Sequence, residues 1–256
     1  MKAKPKNPED VLRVKKTVSK KLGLPIPTNA DLREIYNNLA ESGKIKPDKN
    51  FEESLFSRKI RTQSGVVVIA VLTKPYPCPG KCLYCPSEKD MPKSYLSNEP
   101  AVMRAIAANF DPYQQVQNRI RALELNGHKT DKVELIVMGG TFSYLPKNYQ
   151  KRFIAECFRA CNNYPEKNNK KGTLEKEQKK NESARHRIVG LTLETRPDYI
   201  TPEEIVNFRN LGCTRVELGV QSIFDEILKF NRRGHDNNRT IEATKSLRDA
   251  GFKISY

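Results

Sequence analysis

Three cysteines at short, fixed spacing are the residues of this sequence with the clearest capacity for chemistry. Cys78, Cys82 and Cys85 lie at C-x3-C-x2-C spacing within the segment Lys74–Pro86, which reads KPYPCPGKCLYCP. Its prolines and glycine are incompatible with a helix, so we expect a loop that holds the thiols close together. Three thiolates can bind a four-iron four-sulfur cluster and leave one iron for a non-protein ligand, whereas structural sites normally use four protein ligands. The spacing therefore favours a cluster that takes part in catalysis.

A structural zinc site is the alternative interpretation of the same thiols. Its fourth ligand would come from the remaining cysteines or from the three histidines, which are Cys157, Cys161, Cys213, His128, His186 and His235. Structural zinc sites usually combine two short ligand motifs, and a second motif of that kind is absent from the sequence. Cys157 and Cys161 lie on a helical stripe with Phe153, Ile154 and Phe158, which predicts that they are buried as small hydrophobic residues.

Short apolar runs that alternate with helical segments predict the fold class after residue 60. Five runs predict strands, and they read VVVIAVL, VELIVM, IVGLTL, VELGV and FKISY. Near-continuous apolar strands joined by helices are typical of a parallel sheet with both faces covered. The predicted helices include Ala101–Leu125, one that begins at the cap Thr201, and Thr240–Ala250. The polar insertion Glu166–Arg187 is predicted to be mobile or a solvated helix. The expected class is α/β, an incomplete parallel βα barrel over residues 61–256.

Residues at the ends of these strands form a second group with chemical capacity. In a parallel βα barrel the carboxyl ends of the strands gather at one edge, where active sites form. Gly139 and Gly140 allow a ligand to approach the backbone closely. Glu194 can accept hydrogen bonds from an ammonium group or a ribose, Arg196 can pair with a carboxylate, and Gln221 can bind a ribose hydroxyl or an adenine edge.

The sequence of residues 1–60 predicts a small, basic, helical region. Apolar and cationic positions recur at helical spacing over about residues 11–22, and a second helix is predicted to begin near Thr28 or Asn29. The formal charge of the whole chain is +16, from 46 Lys and Arg against 30 Asp and Glu, which favours a polyanionic partner such as RNA. A solvated basic surface is the alternative. The side chains expected to contact RNA phosphates are Lys15, Lys16, Lys20, Lys21 and Arg33.

Longer motifs resemble a known family. The cysteine spacing, with an aromatic residue before the last cysteine, resembles the radical SAM superfamily, whose members bind S-adenosylmethionine (SAM) at the fourth iron and cleave it to a 5′-deoxyadenosyl radical. The segments VMGGTF, GLTLETRPDY, CTRVELGVQS and NRRGH resemble the catalytic subunit of Elongator, the family of tRNA uridine(34) acetyltransferases, over residues 60–256. Eukaryotic members have a longer insertion between the first two cysteines, so the short spacing here suggests an archaeal or bacterial form.

That resemblance implies a reaction and its participants. A radical derived from SAM takes hydrogen from the acetyl methyl group of acetyl-CoA, and the resulting carbon radical adds to the wobble uridine of tRNA to give 5-carboxymethyluridine. The resemblance assigns no catalytic residue. It also implies an acetyltransferase-like domain that this chain lacks, so the chain alone is not expected to complete the reaction. By position it assigns the cluster ligands Cys78, Cys82 and Cys85, the SAM-binding Gly139 and Gly140, and the acetyl-CoA contact Lys132.

Two functional alternatives stay open at this point. One is another radical SAM enzyme that modifies RNA, such as a methylthiotransferase, which normally needs a second cluster; the remaining cysteines are too scattered to favour it. The other is an RNA-binding module with a structural metal site. Other Elongator-type subunits or self-association are possible partners. A cytoplasmic location is expected, because the chain has no apolar run of membrane-spanning length and no secretory signal.

Overall fold

A computed structural model describes residues 5, 7–166 and 170–256. Its contacts divide the chain into two compact units. The first contains the described residues up to Val67 together with Asn118–Thr130, and the second contains Val68–Gln117 and Asp131–Tyr256. The first unit therefore extends beyond the boundary predicted after residue 60 and includes a second segment from later in the chain.

The described residues form ten α-helices and five strands, and from Val67 onward the strands alternate with helices as the apolar runs predict. The helices are α1 (Pro8–Leu22), α2 (Asn29–Glu41), α3 (Lys49–Ser54), α4 (Pro100–Ala107), α5 (Pro112–Leu125), α6 (Lys147–Asn163), α7 (Leu174–Asn181), α8 (Pro202–Asn210), α9 (Asp225–Phe230) and α10 (Asn237–Asp249). The strands are β1 (Val67–Leu72), β2 (Lys132–Met138), β3 (Arg187–Thr195), β4 (Arg215–Leu218) and β5 (Lys253–Ser255). Among the described residues, none of the helices combines the length and the apolar character needed to cross a membrane.

The five strands form one sheet in the order β1-β2-β3-β4-β5. β2 pairs with β3, β3 with β4 and β4 with β5, and each of these pairs is parallel. The α/β class with a parallel sheet is therefore confirmed. The register places Glu194 of β3 opposite Glu217 of β4, so both carboxylates lie at the carboxyl edge of the sheet.

The end of β1 is fixed before the chain enters the cysteine loop. The Leu72 N–H donates to Gln115 Oε1 over 2.8 Å, and Gln115 Nε2 donates to the Leu72 carbonyl over 2.9 Å. The next amide, that of Thr73, donates to the Met138 carbonyl over 3.0 Å. These bonds satisfy backbone groups that a strand at the side of a sheet would otherwise leave unpaired, and they anchor the start of the loop.

The single helix predicted over Ala101–Leu125 is wrong, because the structure divides this segment into α4 and α5. Asn109 and Phe110 between them have φ values of 50° and 54°. This left-handed conformation ends a helix. Pro112 then occupies the first position of α5, where its missing N–H costs no hydrogen bond.

The insertion Glu166–Arg187 contains the ordered helix α7. Thr173 caps it by accepting a hydrogen bond from the Lys176 N–H over 3.4 Å. Leu174, Glu177 and Asn181 on one face are buried. This face is held to α6, since Asn162 Nδ2 donates to the Glu177 carboxylate over 2.9 Å. The prediction of a mobile segment or a fully solvated helix is therefore wrong for α7, while residues 167–169 lie outside the described part of the chain.

The first unit contains the two helices predicted near the N-terminus and a third that was not predicted. In α1 the cap is Asn7, whose side chain accepts from the Asp10 N–H, and Gly23 ends the helix with a φ of 65°. In α2, Thr28 and Asp31 form a capping box, in which each side chain accepts from the other residue's backbone N–H. The third helix, α3, is joined to α2 by a hydrogen bond of 3.0 Å from the Tyr36 hydroxyl to the Glu52 carboxylate.

Candidate functional site

The cysteine loop and the carboxyl edge of the sheet line one cavity in the second unit. The cavity has a volume of about 230 Å³ and is partly open to solvent. The predicted residues that line it are Cys78, Cys82, Cys85, Gly140, Glu194, Arg196 and Gln221. Most of the residues predicted from the cysteine spacing and the strand ends are therefore brought together.

Each sulfur of the cysteine loop has a polar neighbour. The Gly80 N–H donates to Cys78 Sγ over 3.4 Å. Cys85 Sγ lies 2.8 Å from Ser94 Oγ. Cys82 Sγ accepts from Arg233 Nη1 over 3.2 Å. The loop is thus held from several directions, and the sulfurs face the cavity in a polar setting that suits thiolates.

The surroundings of the three thiols offer hydrogen-bond donors that an anionic cluster can use. Cys82 Sγ already accepts from Arg233 Nη1. Arg196 Nη1, buried beside the loop without a hydrogen-bond partner among the described atoms, adds a donor that an anionic cluster can use.

The other three cysteines have the character of core residues. Cys157 and Cys161 are buried in α6, with 0% and 1% of their surfaces exposed, as the helical stripe predicts. Burial raises the pKa of Cys161 to about 12 and also raises that of Cys213 to about 12. The Cys213 thiol donates to the Arg215 carbonyl over 3.0 Å. These thiols stay protonated near neutral pH, which is the wrong state for a metal ligand.

Glu194 is a buried carboxylate with one dominant partner. The Tyr95 hydroxyl lies 2.9 Å and 2.7 Å from its two oxygens and donates to them. Burial raises the pKa of Glu194 to about 7, against the opposing effect of the Tyr95 hydrogen bond and with a further increase from Glu217. The amides of Gly139 and Gly140 favour the charged form. Glu194 can therefore carry a proton or a negative charge near neutrality, and its charged form can bind a cationic group.

Replacing Glu194 by glutamine should remove a pH dependence of stability. The folded-state pKa of about 7 lies above the usual 4.5, so protonation stabilises the folded state. This contribution is fully present below about pH 4.5 and is lost as the pH rises through 7. Because one pKa unit corresponds to about 1.36 kcal/mol, we expect the free energy of unfolding of the wild-type chain to fall by up to about 3 kcal/mol across this range, relative to Glu194→Gln.

Urea unfolding of the cluster-free protein at several pH values would measure this difference. The exposed Glu226 provides a matched control, since Glu226→Gln makes the same chemical change where solvation is retained. A pH profile for Glu194→Gln that coincides with those of wild type and Glu226→Gln would contradict the prediction.

Arg196 already has a carboxylate partner in the protein. Its Nε and Nη2 atoms donate to the two Asp198 carboxylate oxygens over 2.9 Å and 2.8 Å, and Nη2 also donates to the Arg233 carbonyl. Only Nη1 faces the cysteine loop. A β-carbon added to Gly80 would lie 2.1 Å from this nitrogen, so the loop passes directly over the guanidinium. The side chain predicted to bind a ligand carboxylate is therefore paired within the protein, and its remaining nitrogen lies against the loop.

The two glycines after β2 have different surroundings. Both have positive φ values, 131° at Gly139 and 91° at Gly140. A β-carbon at Gly139 would lie 2.1 Å from Thr73 Oγ1. Close packing against the end of the neighbouring strand therefore explains why a glycine is needed at this position. Gly140 lines the cavity and is the better candidate for close approach of a ligand. Gln221 also lines the cavity, with a φ of 73° that is unfavourable for a residue with a side chain.

Lys132 is not brought to the cavity. It is the exposed first residue of β2, whereas the cavity lies beyond the last residue of that strand. At about 3.3 Å per residue, the length of β2 separates the two by roughly 20 Å.

The basic residues predicted to bind RNA fall into two groups. Lys16, Lys20 and Lys21 are exposed on α1. Lys15 donates to Asn29 Oδ1 over 3.0 Å, and burial lowers its pKa. Arg33 is partly buried and donates to the Glu52 carbonyl. Only the first group presents free cationic ends to a partner, whereas Lys15 and Arg33 contribute to packing within the first unit.

The sequence analysis missed seven cavity residues, namely Ser94, Tyr95, Thr141, Thr195, Glu217, Gly219 and Arg233. Tyr95 and Ser94 lie in a polar stretch that has no periodicity. Glu217 lies inside an apolar run that predicts a strand. Arg233 belongs to the NRRGH motif, which indicates the family but does not by itself predict a chemical role for the residue.

Comparisons with known proteins show what this chain is similar to. The family model of the radical SAM superfamily matches residues 76–256. The chain is 47% identical over 242 residues to a tRNA uridine(34) acetyltransferase of Methanocaldococcus infernus, covering 92% of this chain and 43% of that protein. It is 37% identical over 225 residues to Elongator complex protein 3 of Schizosaccharomyces pombe, covering 82% of this chain and 40% of that protein.

A solved structure is also similar. The archaeal Methanocaldococcus infernus Elp3 with an N-terminal deletion superposes with a TM-score of 0.60 at 44% identity, over 75% of this chain and 37% of that chain. The chain thus spans less than half the length of the curated relatives that it matches. These similarities confirm the resemblance that the sequence motifs predicted.

Proposed function

Because this chain belongs to the radical SAM superfamily, we propose that it is the cluster-binding and SAM-binding part of an enzyme that modifies the wobble uridine of tRNA. The observation that carries the proposal is the meeting of Cys78, Cys82 and Cys85 with the strand-end residues in one cavity. The relatives named tRNA uridine(34) acetyltransferase and Elongator complex protein 3 support the choice of substrate.

The proposed roles follow from what each side chain can do. Cys78, Cys82 and Cys85 hold the cluster, which when bound supplies the electron for reductive cleavage of SAM. Glu194, with its pKa near 7, accepts hydrogen bonds from the ammonium group or a ribose hydroxyl of SAM. Gly140 lets that ligand approach the backbone, and the Gln221 amide can bind the ribose or the adenine edge.

Acetyl-CoA and tRNA are the proposed co-substrate and substrate. The product would be 5-carboxymethyluridine, and the reaction would require the parts of the relatives that this chain does not span. Lys132 can serve as a point charge for a phosphate. Its distance from the cavity restricts it to a part of acetyl-CoA remote from the reacting acetyl group.

We also propose that the exposed lysines of α1 bind tRNA phosphates. The protein is proposed to work in the cytoplasm, and its proposed protein partners are other Elongator-type subunits or a second copy of itself. All six cysteines are free thiols, which suits a reducing compartment.

Anaerobic reconstitution tests the proposal. The chain should bind about four irons, and addition of SAM should change the electron paramagnetic resonance spectrum of the reduced protein. With dithionite as the electron donor, 5′-deoxyadenosine should form. One equivalent of zinc and no response to SAM would instead favour the RNA-binding module with a structural metal site.

A further inference from the structure

The loop after α9 forms a second wall of the cysteine loop. The Leu83 N–H, between the second and third cysteines, donates to the Asn231 carbonyl over 3.2 Å. Two residues later, Arg233 reaches Cys82. Gly234 has a φ of 78°, and a β-carbon there would lie 3.1 Å from Arg196 Nη2. The segment Asn231–Gly234 therefore fits closely against both the cysteine loop and the guanidinium beneath it.

Arg233 is oriented by two contacts that use different nitrogens. Nη2 donates to the Gly219 carbonyl at the end of β4, and Nη1 donates to Cys82 Sγ over 3.2 Å. The residue is buried, with 6% of its surface exposed. A planar guanidinium held at one nitrogen by the sheet presents the other in a fixed direction. The sheet therefore aims a donor at the sulfur of a predicted cluster ligand.

Among the described residues, Arg233 lacks the ion pair that Arg196 has. Arg196 has the Asp198 carboxylate at 2.8 Å, which balances its charge. Across residues 7–166 and 170–256, no carboxylate forms an ion pair with Arg233. A buried cation outside an ion pair is costly, and an anion beside Cys82 would lower that cost. The bound cluster with its thiolates is the anion that the proposed function supplies.

We propose that Arg233 is a positioning residue that tunes the cluster, in an inference that rests on the proposed function. Its hydrogen bond to Cys82 Sγ and its positive charge favour the reduced form of the bound cluster. Reduction adds one electron from a low-potential donor, with no bond formed or broken, and so adds one negative charge beside the guanidinium. Hydrogen bonds to the sulfurs and local net charge are established determinants of the potentials of such clusters, and burial strengthens the effect of a nearby charge.

Redox titration of the reconstituted full chain, followed by electron paramagnetic resonance, tests this role. We compare wild type with Arg233→Gln, which removes the charge, and Arg233→Lys, which keeps it. The control is Arg232→Gln, which removes a charge from the exposed neighbour in the same loop. We expect Arg233→Gln to reduce the equilibrium constant for one-electron reduction at least about tenfold, equivalent to about 59 mV. Arg233→Lys should show less than half of that shift, and Arg232→Gln should match wild type.

The outcomes separate the possible failures. A wild-type chain without a cluster would overturn the proposed function itself. A normal cluster in wild type, with the same midpoint potential in Arg233→Gln, would overturn only the role of Arg233. If Arg233→Gln fails to retain iron, the Arg233→Lys variant distinguishes the two roles. Retention of iron by Arg233→Lys, with a midpoint potential near that of wild type, supports the role of the positive charge. Loss of iron in both variants shows that Arg233 has a packing role instead.

Discussion

Replacement of Cys78, Cys82 and Cys85 together by alanine should reduce the iron content of the anaerobically reconstituted chain from about four atoms to nearly none. The three sulfurs line one cavity, whereas the other thiols of the chain are buried. Burial raises the pKa values of Cys161 and Cys213 to about 12, so these thiols stay protonated near neutral pH. None of these buried thiols is therefore placed to substitute as a ligand. The visible absorption of the cluster and its response to SAM should disappear with the iron.

Two control variants distinguish loss of ligands from loss of fold. Cys161→Ala and Cys213→Ala each remove a thiol from the core and leave a small cavity. The cavity should lower the free energy of unfolding by about 1 kcal/mol. Both should load iron as wild type does. Retention of about four irons by the triple variant, with an unchanged circular dichroism spectrum, would exclude the loop as the cluster site.

Charge reversal of Lys16, Lys20 and Lys21 to glutamate should weaken tRNA binding on the order of a hundredfold at low salt. All three are exposed on α1. Each phosphate contact contributes roughly 0.7 to 0.9 to the slope of log K against log salt concentration. If all three lysines contact RNA, the slope should become less steep by about 2 to 3. Fluorescence anisotropy with labelled tRNA across a range of salt concentrations would measure it.

The matched control reverses three exposed lysines of the second unit, Lys176, Lys179 and Lys245. That variant has the same net charge, so it separates local contacts from the overall attraction of a basic protein for RNA. Equal slopes for the two variants would refute the assignment of RNA binding to α1. Lys15 and Arg33 are left unchanged in both, since their hydrogen bonds stabilise the first unit.

Local patterns in the sequence were sufficient to predict the cysteine loop and the parallel sheet. Proline and glycine determine the loop over a few residues, and apolar runs determine buried strands. The break between α4 and α5 also has a local signal, because Pro112 is a strong start signal for a helix.

Contacts between distant residues explain what the sequence did not reveal. Tyr95 and Glu194 are 99 positions apart, and Arg233 and Cys82 are 151 positions apart. No spacing rule links such pairs, since only the tertiary fold brings them together. Arg196 shows the opposite case. Its partner Asp198 follows two residues later in the sequence, so this ion pair is predictable from sequence proximity alone.

The contact between Arg233 and Cys82 has a consequence for biosynthesis. Because the two residues are 151 positions apart, the cysteine loop leaves the ribosome well before the segment that completes its surroundings. At about 5 to 20 residues per second, this delay is roughly 8 to 30 s. During that interval the three thiols are without the side chain that braces Cys82, and they are exposed to stray metal ions and oxidants. Insertion of iron and sulfur should therefore follow synthesis of the NRRGH segment, and nascent chains arrested before Asn231 should not retain the cluster.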